Sequence, residues 1–127
     1  MKTSQLLIAT AVFEFFTGVF FIIFPSKVVS QLLGMTLTDT SGLIVCRISG
    51  AALIALSLIC WLARSAADEV GSKMLLKVLL CYNVLVTIIL GLQGFLHSGT
   101  LLMWAAVLIH LLLALLCTGA LQKKTIR

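Results

Sequence analysis

Glu14, Arg47, Tyr82, Asn83 and His110 are polar residues set deep inside apolar runs of a 127-residue chain. Glu14 stands in TAVFEFFTGVFF and Arg47 in VCRISGAALIALSLICWLAR. Tyr82 and Asn83 share LLCYNVLVTIIL, and His110 lies in WAAVLIHLLLALL. A carboxylate among such neighbours can hold a proton, accept a hydrogen bond from a ligand, or pair with a cation. A carboxylate and an imidazole together can do acid–base chemistry. Ionisable groups inside a membrane span are costly, so each is read first as a functional site. Structural readings stand beside the functional ones. Asn83 also suits helix–helix glue, Tyr82 simple packing with a satisfied hydroxyl, His110 a neutral core histidine, and Glu14 with Arg47 a structural pair.

The motifs of soluble catalysis are missing. There is no phosphate-binding glycine loop, nucleophile elbow or HExxH. His97 and His110 differ by about 13 Å in helical depth, which excludes them as a haem-ligand pair. Cys46, Cys60, Cys81 and Cys117 sit in apolar runs without a CxxC pair. They read as free thiols acting as small hydrophobes, with no native disulfide; Cys60 and Cys117 are the one pair at similar depth. No cofactor is expected.

The composition says what must position these groups. The chain is 61% hydrophobic and 10% charged, against about 45–50% and about 25% in soluble domains. So much apolar surface calls for a bilayer as solvent. The net charge of +5 comes from basic residues scattered over segment ends, not from a patch interleaved with aromatics, so nucleic acid is excluded as a partner. The length suits one domain, residues 1–127.

A spanning helix needs about 20 mostly apolar residues. Four stretches qualify, at about residues 5–24, 42–63, 74–96 and 101–121. The period-two alternation of a β-barrel is absent. The first run begins near Lys2, as a signal peptide would, but its apolar part is too long, carries Glu14, and leads into FPSKVV without a small-x-small site. It reads as a true span.

Basic residues set the orientation. Lys2, Arg64, Lys73, Lys123, Lys124 and Arg127 flank one side of the spans, and Lys27 alone the other. Both termini should face the cytoplasm of an inner, or plasma, membrane. HSGT (97–100) predicts a tight hairpin, and RSAADEVGSK (64–73) a solvated turn. In SKVVSQLLGM, Val28, Val29, Leu32, Leu33 and Met35 fall near one helical face, which suits a short helix along the outer interface. Asp39 or Ser41 is positioned to cap the second span. Trp61 and Trp104 read as interface anchors.

At about 1.5 Å per residue, Glu14, Tyr82, Asn83 and His110 share one depth near the midplane, with Arg47 higher and Thr17 one turn outward from Glu14. Each span also gathers its polar and small residues on one stripe. These are Leu7, Thr10, Glu14, Thr17 and Phe21; then Leu43, Arg47, Gly50, Ile54, Ser57 and Trp61; then Leu76, Leu80, Asn83, Thr87, Leu90 and Gly94; then Met103, Ala106, His110, Ala114, Cys117 and Leu121. Turned inward, the stripes predict an all-α antiparallel four-helix membrane bundle with a polar centre. Whether Glu14 reaches Arg47 stays open, because helical side chains lean toward their own N-termini and these two would lean apart. Tyr82, Asn83 and His110 are easier partners for Glu14.

The order of these features resembles a known kind of protein. EFFTGVFFIIFP, then LLGM, then VCRISGAALIALSLICWLAR and two further spans look like the small four-helix bacterial membrane proteins of the DoxX and MauE kind, including domains of unknown function. The resemblance implies an inner-membrane four-helix bundle and no residue-level role. The outline of four short spans with one Glu in the first also resembles small multidrug-resistance transporters. Arg47 and the absence of their glycine and aromatic patterns speak against that kinship.

The sequence therefore predicts a membrane protein that is not an enzyme. Its polar centre, built from Glu14, Thr17, Arg47, Tyr82, Asn83 and His110, would bind a small molecule or lipid, or support a partner protein or a second copy. The alternatives are proton-coupled transport through Glu14 and an intramembrane acid–base enzyme, such as an isomerase, using Glu14 and His110.

Overall fold

The computed structural model describes residues 2–65 and 70–125, the last three of these by backbone alone. The middle of the turn expected at 64–73 lies outside the described residues, as do Arg127 and the side chains of Lys123 and Lys124. The helices are α1 (Thr3–Ile23), α2 (Pro25–Leu33), α3 (Thr40–Ala63), α4 (Val70–His97) and α5 (Leu101–Thr125). No strand occurs among the described residues. Helices α1, α3, α4 and α5 are long and apolar enough to cross a membrane, as a multi-pass membrane protein requires.

Backbone chemistry explains the breaks. Pro25 has no N–H, so the carbonyl of Phe21 loses its partner in the helical ladder. The chain leaves the helix at Phe24 (φ −126°, ψ 50°) and restarts with Pro25 at the first position of α2. Helix α2 ends at Gly34, whose φ of 68° lies in the left-handed region that suits glycine. Asp39, the first of the two expected caps, starts α3; its Oδ2 accepts from the Gly42 N–H at 2.6 Å. Residues 98–100 turn α4 back into α5. Thr100 there accepts from Met103 N–H at 3.1 Å and donates to the Gln31 and Leu32 carbonyls at 2.8 and 2.9 Å. That hydroxyl ties the end of α2 to the start of α5.

The long helices associate as two close pairs, α1 with α3 and α4 with α5, and the pairs touch each other much less. Helices α1 and α3 cross at Gly18 and Gly50, where a methyl on either glycine would lie 2.6 Å from the other's carbonyl oxygen. Small residues permit such close backbone approach. In the second pair, Gly94 lies under Met103 and Trp104. Trp104 is half-buried with its ring edge-on to Phe95 at 5.0 Å, so it packs inside the hairpin. Leu6, Leu7, Ala11, Cys60, Leu76, Leu79, Leu113 and Cys117 join all four long helices in one core. Outward faces carry exposed Phe16, Ile48, Leu92 and Leu108, the pattern expected where lipid is the solvent. All four cysteines are free, and only Cys81 is exposed.

The inward stripes hold on α1, α4 and α5, whose polar midpoints Glu14, Asn83 and His110 are all buried. Helix α3 buries Gly50 and Ser57 of its expected stripe and is turned partway from the rest. Its buried residues are Cys46, Gly50, Ser57 and Cys60, while Arg47 and Trp61 are exposed. The Gly18–Gly50 crossing fixes that rotation, and a face one residue back from Arg47 meets α1.

Candidate functional site

Glu14 is 1% exposed, on the face of α1 that also buries Thr10, Ala11 and Gly18. Its Oε2 accepts a hydrogen bond from the Tyr82 hydroxyl at 3.3 Å, linking α1 to α4. Its Oε1 has no partner. Among the described residues it is the one buried side-chain nitrogen or oxygen left so.

Tyr82 leads on to His110. Their rings meet edge to face at 5.7 Å, and Phe13 meets the same imidazole at 5.7 Å. Such edge-on contacts are favoured by the ring quadrupoles. Phe13 and Tyr82 thus hold the His110 ring between α1 and α4. On α5 itself His110 is buried, with Nδ1 2.8 Å from Asn83 Oδ1. Asn83 Nδ2 donates to the Leu79 carbonyl at 2.7 Å. That bond fixes Oδ1 as the acceptor, so the network assigns a proton to His110 Nδ1. The Asn83 carbonyl in turn accepts from the Thr87 hydroxyl at 2.7 Å. Helix α3 contributes Ser57, whose hydroxyl bonds the Ile54 carbonyl at 2.9 Å, and Cys60, which lies near Glu14.

Four of the six expected site residues are therefore in one chain of contacts: Glu14, Tyr82, His110 and Asn83. Thr17 is half-buried and spends its hydroxyl on the Phe13 carbonyl of its own helix at 2.8 Å. Arg47 stands apart, exposed, with Nε donating to the Ile22 carbonyl at 3.3 Å. Phe13 and Cys60 belong to the site and were not among its expected members. Phe13 sits beside Glu14 in sequence and one position off the polar stripe. Cys60 lies three residues beyond Ser57, on the true inner face of α3.

The hydroxyls of Tyr82, Thr17, Ser57 and Thr87, His110 Nδ1 and one of the two Asn83 Nδ2 hydrogens are committed as described. No group of three or more His, Cys, Asp or Glu side chains among the described residues is placed to hold a metal ion. Comparison with protein-family models, curated proteins and solved structures finds no match for this chain, so its function rests on the chemistry of the site.

Proposed function

We propose that this chain is an inner-membrane protein whose polar centre binds a small molecule or lipid through Glu14. In this reading the four long helices form an antiparallel bundle with both termini in the cytoplasm, and α2 lies along the outer interface. A kinship with the DoxX- and MauE-like proteins belongs to the same proposal. It rests on the Glu-bearing first span, the FP break and the shared four-span layout.

The observation that carries the proposal is the uncovered Oε1 of Glu14. A buried polar atom without a hydrogen bond costs about 1–3 kcal/mol in proteins. Tyr82 covers only one of the two oxygens. A ligand donor at Oε1 would remove that cost. The seam between the two helix pairs, whose backbones approach less closely than those within each pair, supports entry, because Glu14 and Tyr82 meet across it. Support of a partner protein or of a second copy remains compatible with the same centre. Proton-coupled export is the second reading, favoured by a carboxyl whose bonded partner is a neutral hydroxyl rather than a cation.

Native mass spectrometry of the protein released from lipid nanodiscs tests the binding reading. The expected spectrum holds an adduct of constant mass on the parent chain that is reduced in Glu14→Gln. A bare polypeptide mass in every preparation would overturn it.

A further inference from the structure

We propose that Arg47 and Lys27 bind the phosphate of an anionic phospholipid at the junction of α1 and α2, a site separate from Glu14.

Arg47 lies about 10 Å along α3 from its start at Thr40, and it is exposed. A guanidinium on the lipid side of a span is expensive unless it reaches the headgroup layer or meets an anion. Its Nε donates to the carbonyl of Ile22 at 3.3 Å, next to the last residue of α1. Cys46 beside it brings Sγ to 4.0 Å from the carbonyl of Pro25, the first residue of α2. Arg47 is thus held at the bend where α1 gives way to α2, the level at which a span ends and headgroups begin. Lys27 is exposed in the first turn of α2, so a second cation borders the same bend.

A guanidinium has five N–H donors, and the bond to Ile22 uses one. The two described carboxylates are engaged elsewhere: Glu14 accepts from Tyr82, and Asp39 caps α3 at Gly42. The terminal nitrogens of Arg47 form the flat fork that matches two oxygens of a phosphate. A phosphodiester also supplies the negative charge that complements two cations. The tail has a place as well. From Arg47 toward the middle of α3, Ala51, Ala55 and Leu58 follow at helical spacing, and all three are exposed. An acyl chain can lie along that apolar strip below its own headgroup. Clustered basic side chains beside a span are a recurring headgroup site. A zwitterionic lipid carries its own cation next to the phosphate, so the pair of basic residues favours an anionic one.

The test is native mass spectrometry of the full chain in a non-ionic detergent, given equal amounts of phosphatidylglycerol and phosphatidylcholine. The parent should retain phosphatidylglycerol over phosphatidylcholine by about fivefold, the scale of one basic side chain at an anionic lipid surface. Arg47→Met keeps the apolar stem and should make the two lipids equal. Arg47→Lys, which keeps the charge without the fork, and Lys27→Gln should each lower the preference. Glu14→Gln should leave it unchanged, which separates this site from the ligand of the carboxyl. Equal retention by the parent, a preference that survives Arg47→Met, or one lost in Glu14→Gln would overturn the assignment. Excess glycerol phosphate, the same anion without tails, should not displace the lipid; displacement would make this a site for a soluble phosphate instead. Should Arg47→Met not fold, a preference unchanged in both Arg47→Lys and Lys27→Gln overturns the proposal.

Discussion

Arg47 donates from Nε to the main-chain oxygen of Ile22, 3.3 Å away at the end of α1. The preceding residue, Cys46, brings its sulfur to 4.0 Å from the carbonyls of Phe21 and Pro25. These acceptors surround the Phe24–Pro25 break, where the helical ladder is interrupted. Arg47 thus completes the end of a neighbouring helix and leaves Glu14 alone.

A double-mutant cycle follows from that separation. Removing one partner of a buried ion pair costs about 3–5 kcal/mol, and the second removal restores much of it. Here Glu14→Gln and Arg47→Met should instead add within about 0.5 kcal/mol, as independent sites do. Chemical unfolding in detergent micelles measures all four corners. A coupling of about 2 kcal/mol or more would show that the two charges pair after all.

The helix crossing makes a second prediction. Gly50→Ala puts a methyl 2.6 Å from the Gly18 carbonyl oxygen and against Ile22 and Phe21. Overpacking of this kind costs about 1–3 kcal/mol. Gly91→Ala and Gly119→Ala meet nothing within 4 Å, so both should melt at or above the parent's temperature. Equal behaviour of all three would mean that α1 and α3 do not cross at Gly18 and Gly50.

The Asn83–His110 bond predicts a third result. Asn83→Ala strands the His110 Nδ1 proton, at a cost of about 1–3 kcal/mol. Asn83→Leu with His110→Phe removes both polar partners and should recover part of the loss. Thermal unfolding of the single and double variants reads this directly. A double variant no better than the sum of the single changes would count against the bond.

Orientation is tested by labelling introduced cysteines with a membrane-impermeant reagent in intact cells. Positions from 28 to 40 should react from outside. Positions 65 and 73 should react only after the membrane is opened. The reverse pattern would invert the proposed topology.

The spans were legible because their signal is composition sustained over length. The structure's helices start and stop within a few residues of the expected runs, and α2 and the Asp39 cap lie where amphipathicity and capping chemistry put them. The depth argument brought Glu14, Tyr82, Asn83 and His110 to one level, and the structure joins them. Rotation of α3 was not legible. The expected stripe Leu43–Arg47–Gly50–Ile54–Ser57–Trp61 shares Gly50 and Ser57 with the buried face Cys46–Gly50–Ser57–Cys60. Packing between distant segments, with Gly50 against Gly18, turns Cys46 and Cys60 inward and leaves Arg47 and Trp61 exposed. Long side chains blurred the choice further, since Arg47 reaches a carbonyl 25 residues away from an exposed position.

Glu14→Gln, measured for fold and for ligand on the same sample, bears most directly on what the buried carboxyl does. Glutamine keeps the shape and can still accept from Tyr82, while the ionisable oxygen is gone. The prediction is a thermal midpoint equal to or above that of the ligand-free parent, together with loss of the co-purified adduct in native mass spectra. A Glu14→Gln protein that is stable and retains the parent's adduct would contradict binding through Glu14. One that unfolds with a loss of about 3–5 kcal/mol would make the carboxyl a structural partner instead.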